Sequence, residues 1–305
     1  MFKIFTENGE GVGNGHVSRC LLLYNDIVKR GYEPIIYLNK EGSGNLLSSV
    51  KYELKDWYDI NILKGLVKDD YVIVDSYLAN IDVLNFISSK AKRVAYFDDY
   101  DRVEYPKGLI ICPTAFKKGE KYLCGEEFML VRDGFYSLTK KHNKQQVNDI
   151  FLSLGTDVNN CLNKVLKIIL ESTQNAIIHV VNRETINHDR VKTYYNLDEF
   201  EMAKIMNACD FSIVSCGQTL LENLVVGNPF IALITADNQI RNFNFLQKKN
   251  LVNYCLDVRN KNFYEDFQIV LCDKIKNFKQ LNKEFKLKSS RYAAKNIINE
   301  LIRED

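Results

Sequence analysis

"MFKIFTENGEGVGNGHVSRCLLLYNDIVKRGYEPIIYL", residues 1–38, decides how the rest of the chain is read. An apolar run at Phe2–Thr6 leads into a stretch with glycines at 9, 11, 13 and 15, then a helical pattern over 15–30, then a second apolar run at Pro34–Leu38. Val17, Cys20, Leu21, Tyr24, Ile27 and Val28 recur at helical spacing and form the face expected to bury against a sheet. Strand, helix and strand in so short a span is a βαβ unit, whose strands lie parallel. Gly9, Gly11, Gly13 and Gly15 let the backbone approach a ligand closely, and the N–H groups at the helix start suit an anion. His16 and Arg19 fall on a different face. A cation in the first turn opposes the helix macrodipole, so helix stability does not account for them; a ligand anion, or a reaction needing a base, would. The spacing is not GxGxxG, and no acidic residue marks the ribose position beyond the next strand, which argues against a dinucleotide site.

The alternation continues. Tyr71–Asp75, Arg93–Phe97, Leu109–Cys112 and Phe128–Val131 read as strands, with a helix over 79–90. It restarts after a polar segment: Phe151–Leu154, Ala176–Val181, Phe211–Ser215, Phe230–Ile234 and Val252–Cys255 are strand-like, with helices near 159–171, 199–208, 217–226 and 239–249. The fold class is therefore α/β, two Rossmann-like domains with parallel sheets facing across a cleft, since ligands of open parallel sheets bind beyond the carboxyl ends of the strands. The expected division is residues 1–138, a linker at 139–148, and 149–305 as the second domain. The charged helical stretch 278–303 either closes that second domain or packs back across the linker.

Composition narrows the function. The 305 residues are 46% hydrophobic, enough for two cores, and 41 basic against 39 acidic residues leave a charge of +2 with no basic patch, so no nucleic-acid partner is expected. No apolar stretch has the length of a membrane span, and the N-terminus reads as a strand rather than a leader. Eight cysteines without a CxxC pair read as buried, reduced thiols, which fits a cytoplasmic protein.

Five later stretches carry polar groups at strand ends. "VIVDSY" (72–77) ends in Asp75, Ser76 and Tyr77; "YFDDYD" (96–101) sets Asp98 and Asp99 side by side, able to hold a divalent cation or to cap loops. "FLSLGTDVNN" (151–160) offers Gly155 and Thr156 as a further phosphate or loop contact. In "VSCGQTLLENLVVGNP" (214–229) a glycine turn opens a helix whose first N–H groups, at Gly217, Gln218 and Thr219, can receive a diphosphate, with Glu222 one turn on, able to reach both hydroxyls of a ribose. Asn238 and Gln239 of "ADNQ" close the next strand with amides suited to sugar hydroxyls. No ligand cluster calls for a metal, and no cofactor is expected.

Taken in order, these stretches resemble the UDP-sugar hydrolase of pseudaminic acid biosynthesis and its spore-coat polysaccharide relatives, in the GT-B-like glycosyltransferase superfamily. The resemblance rests on "GNGHVSRC", "DSY" at 75–77, "FDD" at 97–99, "FMLVRDGFY" at 128–136, "GTD" at 155–157 and the series from Gly217 to Gln239. It implies removal of UDP from a 2,4-diacetamido-2,4,6-trideoxyhexose by attack of water at the anomeric carbon, with inversion. On that likeness His16 activates the water, Tyr77 assists, and Gly13, Gly15, Arg19, Asp75, Gly155, Thr156, Asn238 and Gln239 surround the substrate. Gly217, Gln218, Thr219 and Glu222 take the nucleotide. Two alternatives stay open: a GT-B glycosyltransferase, in which the same histidine deprotonates an acceptor hydroxyl, and a non-catalytic nucleotide-sugar binding protein.

Overall fold

The computed structural model describes residues 1–8, 15–39, 47, 50–138, 146–155, 161–252, 254–280, 287 and 289–303. The chain forms two compact units, Met1–Leu130 with Ser289–Asp305, and Val131–Lys288.

The first unit holds β1 (Phe2–Glu7), α1 (Gly15–Lys29), β2 (Pro34–Asn39), β3 (Tyr52–Leu54), α2 (Ile60–Leu66), β4 (Tyr71–Asp75), α3 (Ile81–Lys90), β5 (Arg93–Phe97), β6 (Leu109–Ile111) and β7 (Tyr122–Leu123). They make a seven-stranded sheet of order β3-β2-β1-β4-β5-β6-β7 in which every adjacent pair is parallel. The central strands are apolar along their length because both faces are covered. Phe2, Ile4, Ile36 and Ile73 pack with Val17, Cys20, Leu23 and Ile27 of α1 on one face. Phe5, Ile35, Val72 and Val74 pack with Trp57, Val83 and Ile87 on the other. This period-two partition fixes the register, since a one-residue slip would exchange the faces.

The second unit holds β8 (Asp149–Ser153), α4 (Leu162–Ser172), β9 (Ile177–Val181), β10 (Val191–Tyr194), α5 (Glu199–Ala208), β11 (Phe211–Ser215), α6 (Gln218–Val226), β12 (Phe230–Ile234), α7 (Asn238–Lys248), β13 (Cys255–Asp257) and α8 (Phe263–Lys276). Its sheet runs β10-β9-β8-β11-β12-β13, again with every adjacent pair parallel. Both units thus share the order of the dinucleotide-binding sheet, with a reversal of direction between β1 and β4 and between β8 and β11.

Some expectations are corrected. Phe128–Val131 is not a strand: residues 126–128 form a short 3-10 turn, and Met129, Leu130 and Val131 are buried without joining a ladder. The chain divides after Leu130 rather than after 138, and the C-terminus does not stay with the second domain. The last helix, α9 (Ala293–Ile302), belongs to the first unit, because Ala293, Ile297, Ile298 and Leu301 complete the α1 face of its core. Arg30 donates to Asn299 Oδ1 at 2.9 Å and to the Lys295 carbonyl at 3.0 Å, and Asn296 Nδ2 donates to the Glu127 carbonyl at 2.9 Å. Most of the expected linker, 139–145, lies outside the described residues.

Removing the Ile297 side chain creates a cavity in that core, so Ile297→Ala lowers the unfolding free energy by about 2–5 kcal/mol in a urea titration. Ile269→Ala, on the exposed side of α8, stays within about 0.5 kcal/mol. Equal effects would show that α9 is not core.

Candidate active site

The reversal between β1 and β4 brings the end of β1 beside the end of β4, at the carboxyl edge where such sheets bind ligands. β4 ends in Asp75, whose side chain is 0% exposed. Helix α1 returns over this edge and points two side chains, one turn apart, at that carboxylate. His16 Nδ1 lies 2.5 Å from Asp75 Oδ1; Arg19 donates from Nε to Oδ2 at 2.5 Å and from Nη2 to Oδ1 at 2.6 Å. The third arm of Arg19, Nη1, reaches both oxygens of Asp99 at 2.8 and 3.0 Å, and the guanidinium lies over the Phe97 ring, 4.4 Å from its centroid. Burial alone would raise the Asp75 carboxyl's pKa, but Arg19 and His16 outweigh it and hold the group well below the usual carboxylate range. Burial likewise opposes the charge on Arg19, and Asp75 and Asp99 overcome it.

His16 is itself only 4% exposed. With Nδ1 committed to Asp75, the neutral ring carries its proton there, and Nε2, which has no hydrogen bond among the described residues, presents a lone pair. The Tyr77 ring stands edge-on to the imidazole with centroids 4.3 Å apart, its hydroxyl donates to Asp99 Oδ2, and its backbone N–H donates to Glu7 Oε1 at 2.6 Å. Glu7, the last residue of β1, is a buried carboxylate whose other oxygen accepts from the Tyr58 and Ser76 hydroxyls.

The structure therefore gathers His16, Arg19, Asp75, Tyr77 and Asp99, and gives two of them other surroundings than expected. Asp75 has no surface with which to touch a substrate; it stands behind His16. Arg19 spends its donors on two carboxylates and does not face an open anion site. Gly15 is the first residue of α1, has no positive φ, and a Cβ there would meet nothing within 4 Å, so it has no internal steric need to be glycine. Gly13, with Gly9 and Gly11, lies outside the described residues. The buried helical face also differs from the expected one: Leu23 replaces Val28, which is exposed, and His16 joins it because Asp75 supplies its partner. Asp98 turns the other way, toward the Arg102 backbone N–H (3.2 Å) and Lys117 (3.7 Å). Among the described residues no group of three His, Cys, Asp or Glu side chains is arranged to hold a metal ion.

In the second unit the edge between β8 and β11 is different in kind. Gly155 follows β8 with φ of 67°, a conformation that favours glycine, and a Cβ there would lie 3.6 Å from Ser215 Oγ at the end of β11. Gly217 is the N-cap of α6 and, having no side chain, makes no side-chain cap hydrogen bond. Gln218 and Thr219, in its first turn, are half-buried. Helix α6 closes at Gly227 in the left-handed conformation, with its N–H on the Asn223 carbonyl at 2.7 Å. Glu222 is buried: Oε1 accepts from Arg132 Nε at 2.6 Å, and among the described residues Oε2 has no hydrogen-bond partner. Burial opposes the charge on Arg132, and Glu222 raises its pKa in spite of that. Gln239 does not offer its amide outward: Oε1 accepts from the Thr235 N–H at 2.9 Å and Nε2 donates to Thr235 Oγ1 at 3.0 Å. Asn238, the first residue of α7, is half-buried. Thr156 and Asp157 lie outside the described residues.

Sequence reasoning gave no role to Glu7, Tyr58 or Arg132, and read Asp99 with Asp98 as a cation or loop-capping pair rather than as the partner of Arg19 and Tyr77. Glu7 and Arg132 each stand at the end of an apolar run, Phe2–Thr6 and Phe128–Val131, where a charge that stays buried needs a partner.

Breaking the central pair is costly, because it leaves Arg19 charged and buried. Asp75→Asn lowers the unfolding free energy at pH 7 by about 3–5 kcal/mol. The folded-state pKa of Asp75 is depressed, so its contribution is complete above the unfolded carboxylate range, near ~4, and is lost as pH falls through the lower folded value. Urea titrations between pH 7 and 3 should show wild-type stability falling more steeply in acid than that of the variant. Parallel curves would mean that Asp75 is not the ionised partner.

No family model matches the chain. Among curated proteins it is 27% identical over 241 residues to the Helicobacter pylori pseudaminic acid cytidylyltransferase and UDP-2,4-diacetamido-2,4,6-trideoxy-beta-L-altropyranose hydrolase, a match covering 75% of this chain and 43% of that longer protein. It is 23% identical over 269 residues to the Campylobacter jejuni UDP-2,4-diacetamido-2,4,6-trideoxy-beta-L-altropyranose hydrolase, covering 80% of this chain and 95% of the relative. Among solved structures, the lipopolysaccharide glycosyltransferase WaaG superimposes with a TM-score of 0.64 at 10% identity, over the whole of both chains, and shows the fold. The chain is thus a GT-B-like protein of two parallel-sheet α/β domains, related in sequence to proteins named as UDP-2,4-diacetamido-2,4,6-trideoxy-beta-L-altropyranose hydrolases.

Proposed function

We propose that the protein is a cytoplasmic hydrolase of a UDP-activated amino sugar of the 2,4-diacetamido-2,4,6-trideoxyhexose type, with His16 as the general base. The observation that carries the reading is the buried Asp75–His16 pair, which leaves Nε2 as an unshared acceptor. Water gives its proton to Nε2 as its oxygen bonds to the anomeric carbon on the face opposite the leaving group; the bond from that carbon to the diphosphate oxygen breaks, and UDP departs with the electron pair. Asp75, itself held by Arg19, accepts from Nδ1 and so keeps the ring oriented while Nε2 takes the proton. Tyr77 borders the imidazole and assists. In the second unit the start of α6 at Gly217, Gln218 and Thr219 takes the diphosphate; Glu222, oriented by Arg132, takes the ribose hydroxyls through Oε2, which has no partner among the described residues, and because Glu222 is 0% exposed this requires the first turn of α6 to open toward the ligand. The names of the two relatives support the substrate class.

The second reading, a glycosyltransferase, is favoured by the fold it shares with enzymes of that class. There the same Nε2 would take the proton of an acceptor hydroxyl.

Incubation with a panel of UDP-amino sugars in H2(18)O, without acceptor, separates the two. Hydrolysis releases UDP and a free sugar of inverted anomeric configuration carrying the label, both followed by NMR and mass spectrometry. His16→Ala lowers kcat by about 10²–10⁴-fold and leaves UDP affinity within about threefold. Full activity in that variant refutes the mechanism, and turnover only with an added acceptor hydroxyl favours transfer.

Loss of a charged hydrogen-bond acceptor costs about 1.5–3 kcal/mol, or roughly 10- to 100-fold in affinity. Glu222→Gln should weaken UDP binding by that factor in calorimetry while leaving UMP's loss the same, since both carry the ribose. Unchanged affinity would remove Glu222 from the nucleotide site.

A further inference from the structure

We propose that Glu7 is a positioning residue for the reaction: its carboxylate builds the turn that holds the Tyr77 ring against His16. Glu7 ends β1 at the strand reversal and is 1% exposed. Four donors converge on it. Oε1 accepts from the Tyr77 backbone N–H at 2.6 Å; Oε2 accepts from the hydroxyls of Tyr58 and Ser76 and, at 3.4 Å, from the Leu78 N–H. Ser76 Oγ in turn accepts from the N–H groups of Leu78 at 3.1 Å and Ala79 at 2.9 Å. The whole turn leaving β4 is therefore wound around one carboxylate on the neighbouring strand. Tyr77 sits on it with its backbone held by Glu7 and its hydroxyl by Asp99, so that the ring between these two anchors has one place to go, edge-on to the imidazole.

The residue type is informative. A carboxylate only accepts, and all four groups facing Glu7 donate, whereas a glutamine would direct its NH2 at some of them. Among the described residues no cation pairs with Glu7, so the charge is buried on hydrogen bonds alone, a costly arrangement for a merely structural tie. Glu7 touches neither His16 nor the reacting atoms. It acts through Tyr77.

The inference rests on the hydrolase reading, and its test is built so that the two can fail separately. With wild-type UDP release as the reference, Glu7→Gln lowers kcat by about 10²-fold and leaves KM within about threefold. Tyr77→Ala gives a loss of similar size, and the double variant is no worse than either single one, because both substitutions release the same ring. Multiplying losses, or a Glu7→Gln kcat within about twofold of wild type, overturns the proposal. Glu7→Asp, which keeps an acceptor-only group, recovers part of the rate.

If the wild-type protein releases no UDP from any substrate, the hydrolase reading has failed, and the positioning role is read by NMR alone. The His16 ring-proton resonances move in Glu7→Gln in the direction and most of the extent seen in Tyr77→Ala; unmoved resonances overturn it. Trp57, the only tryptophan, donates to the Thr6 carbonyl at 2.9 Å, so its fluorescence reports whether the end of β1 is intact in each variant. Should Glu7→Gln not fold, Ser76→Ala and Tyr58→Phe each remove one donor and are expected to shift the His16 resonances in the same direction by a smaller amount. No shift in both counts against the proposal.

Discussion

One carboxylate without exposed surface, Asp75, is the constraint on which the first unit's edge depends. A buried charge is tolerable only if its lone pairs are filled, and here α1 fills them from His16 and Arg19. Those residues are one helical turn apart, so satisfying both contacts fixes the rotation of α1 about its axis as firmly as its apolar face does. The packing of Val17, Cys20, Leu23 and Ile27 against β1, β2 and β4 and the pairing at Asp75 then require the same orientation. Arg19 extends the arrangement to Asp99, and Asp99 to Tyr77. The position of the imidazole is thus set by elements from three parts of the sequence, none of which need move for Nε2 to accept a proton.

The two units use one strand order for opposite electrostatic ends. The first places carboxylates, Glu7 and Asp75, at the strand reversal, where they would repel a phosphate. The second ends the equivalent strands in Gly155 and Ser215, with Gly217, which has no side chain, as the N-cap of α6. A diphosphate is therefore expected by physical chemistry at the second edge, and a base at the first. The same topology does not dictate the same ligand; the charge at the strand ends does.

Much of this was legible in the chain. The βαβ alternation gave both parallel sheets, because strands covered on both faces are apolar throughout and stand out. Of the missed elements, β3 is exposed, β10 is half-exposed, and both are edge strands; the two-residue β7 and the helices α2 and α8 also went unread. Phe128–Val131 misled for the converse reason, since apolar burial is necessary for a central strand but does not make one. At the site, His16, Arg19, Asp75 and Tyr77 were found by their place at strand and helix ends. Their partners were not. Which carboxylate meets which cation depends on strand order, and the sequence carries no mark that β1 and β4 are neighbours. For the same reason Arg19 read as an anion ligand, and Gln239 as a sugar contact, although each is satisfied within its own unit.

The distinction between hydrolysis and transfer follows from this arrangement in a particular way. The base is identical in both readings, because the Asp75–His16 pair fixes only which nitrogen carries the proton and which accepts one. What differs is the size of the group that must reach Nε2. A water needs no recognition beyond that one acceptor, whereas a sugar or peptide hydroxyl brings a body that needs its own contacts. In the described part of the first unit, the polar groups nearest His16 face inward: Arg19 to Asp75 and Asp99, the Tyr77 hydroxyl to Asp99, and Ser76 and Tyr58 to Glu7. An edge whose described hydrogen-bonding groups are turned toward their own scaffold is suited to orienting an imidazole for a small nucleophile, and it is on this ground that we propose water rather than an acceptor hydroxyl.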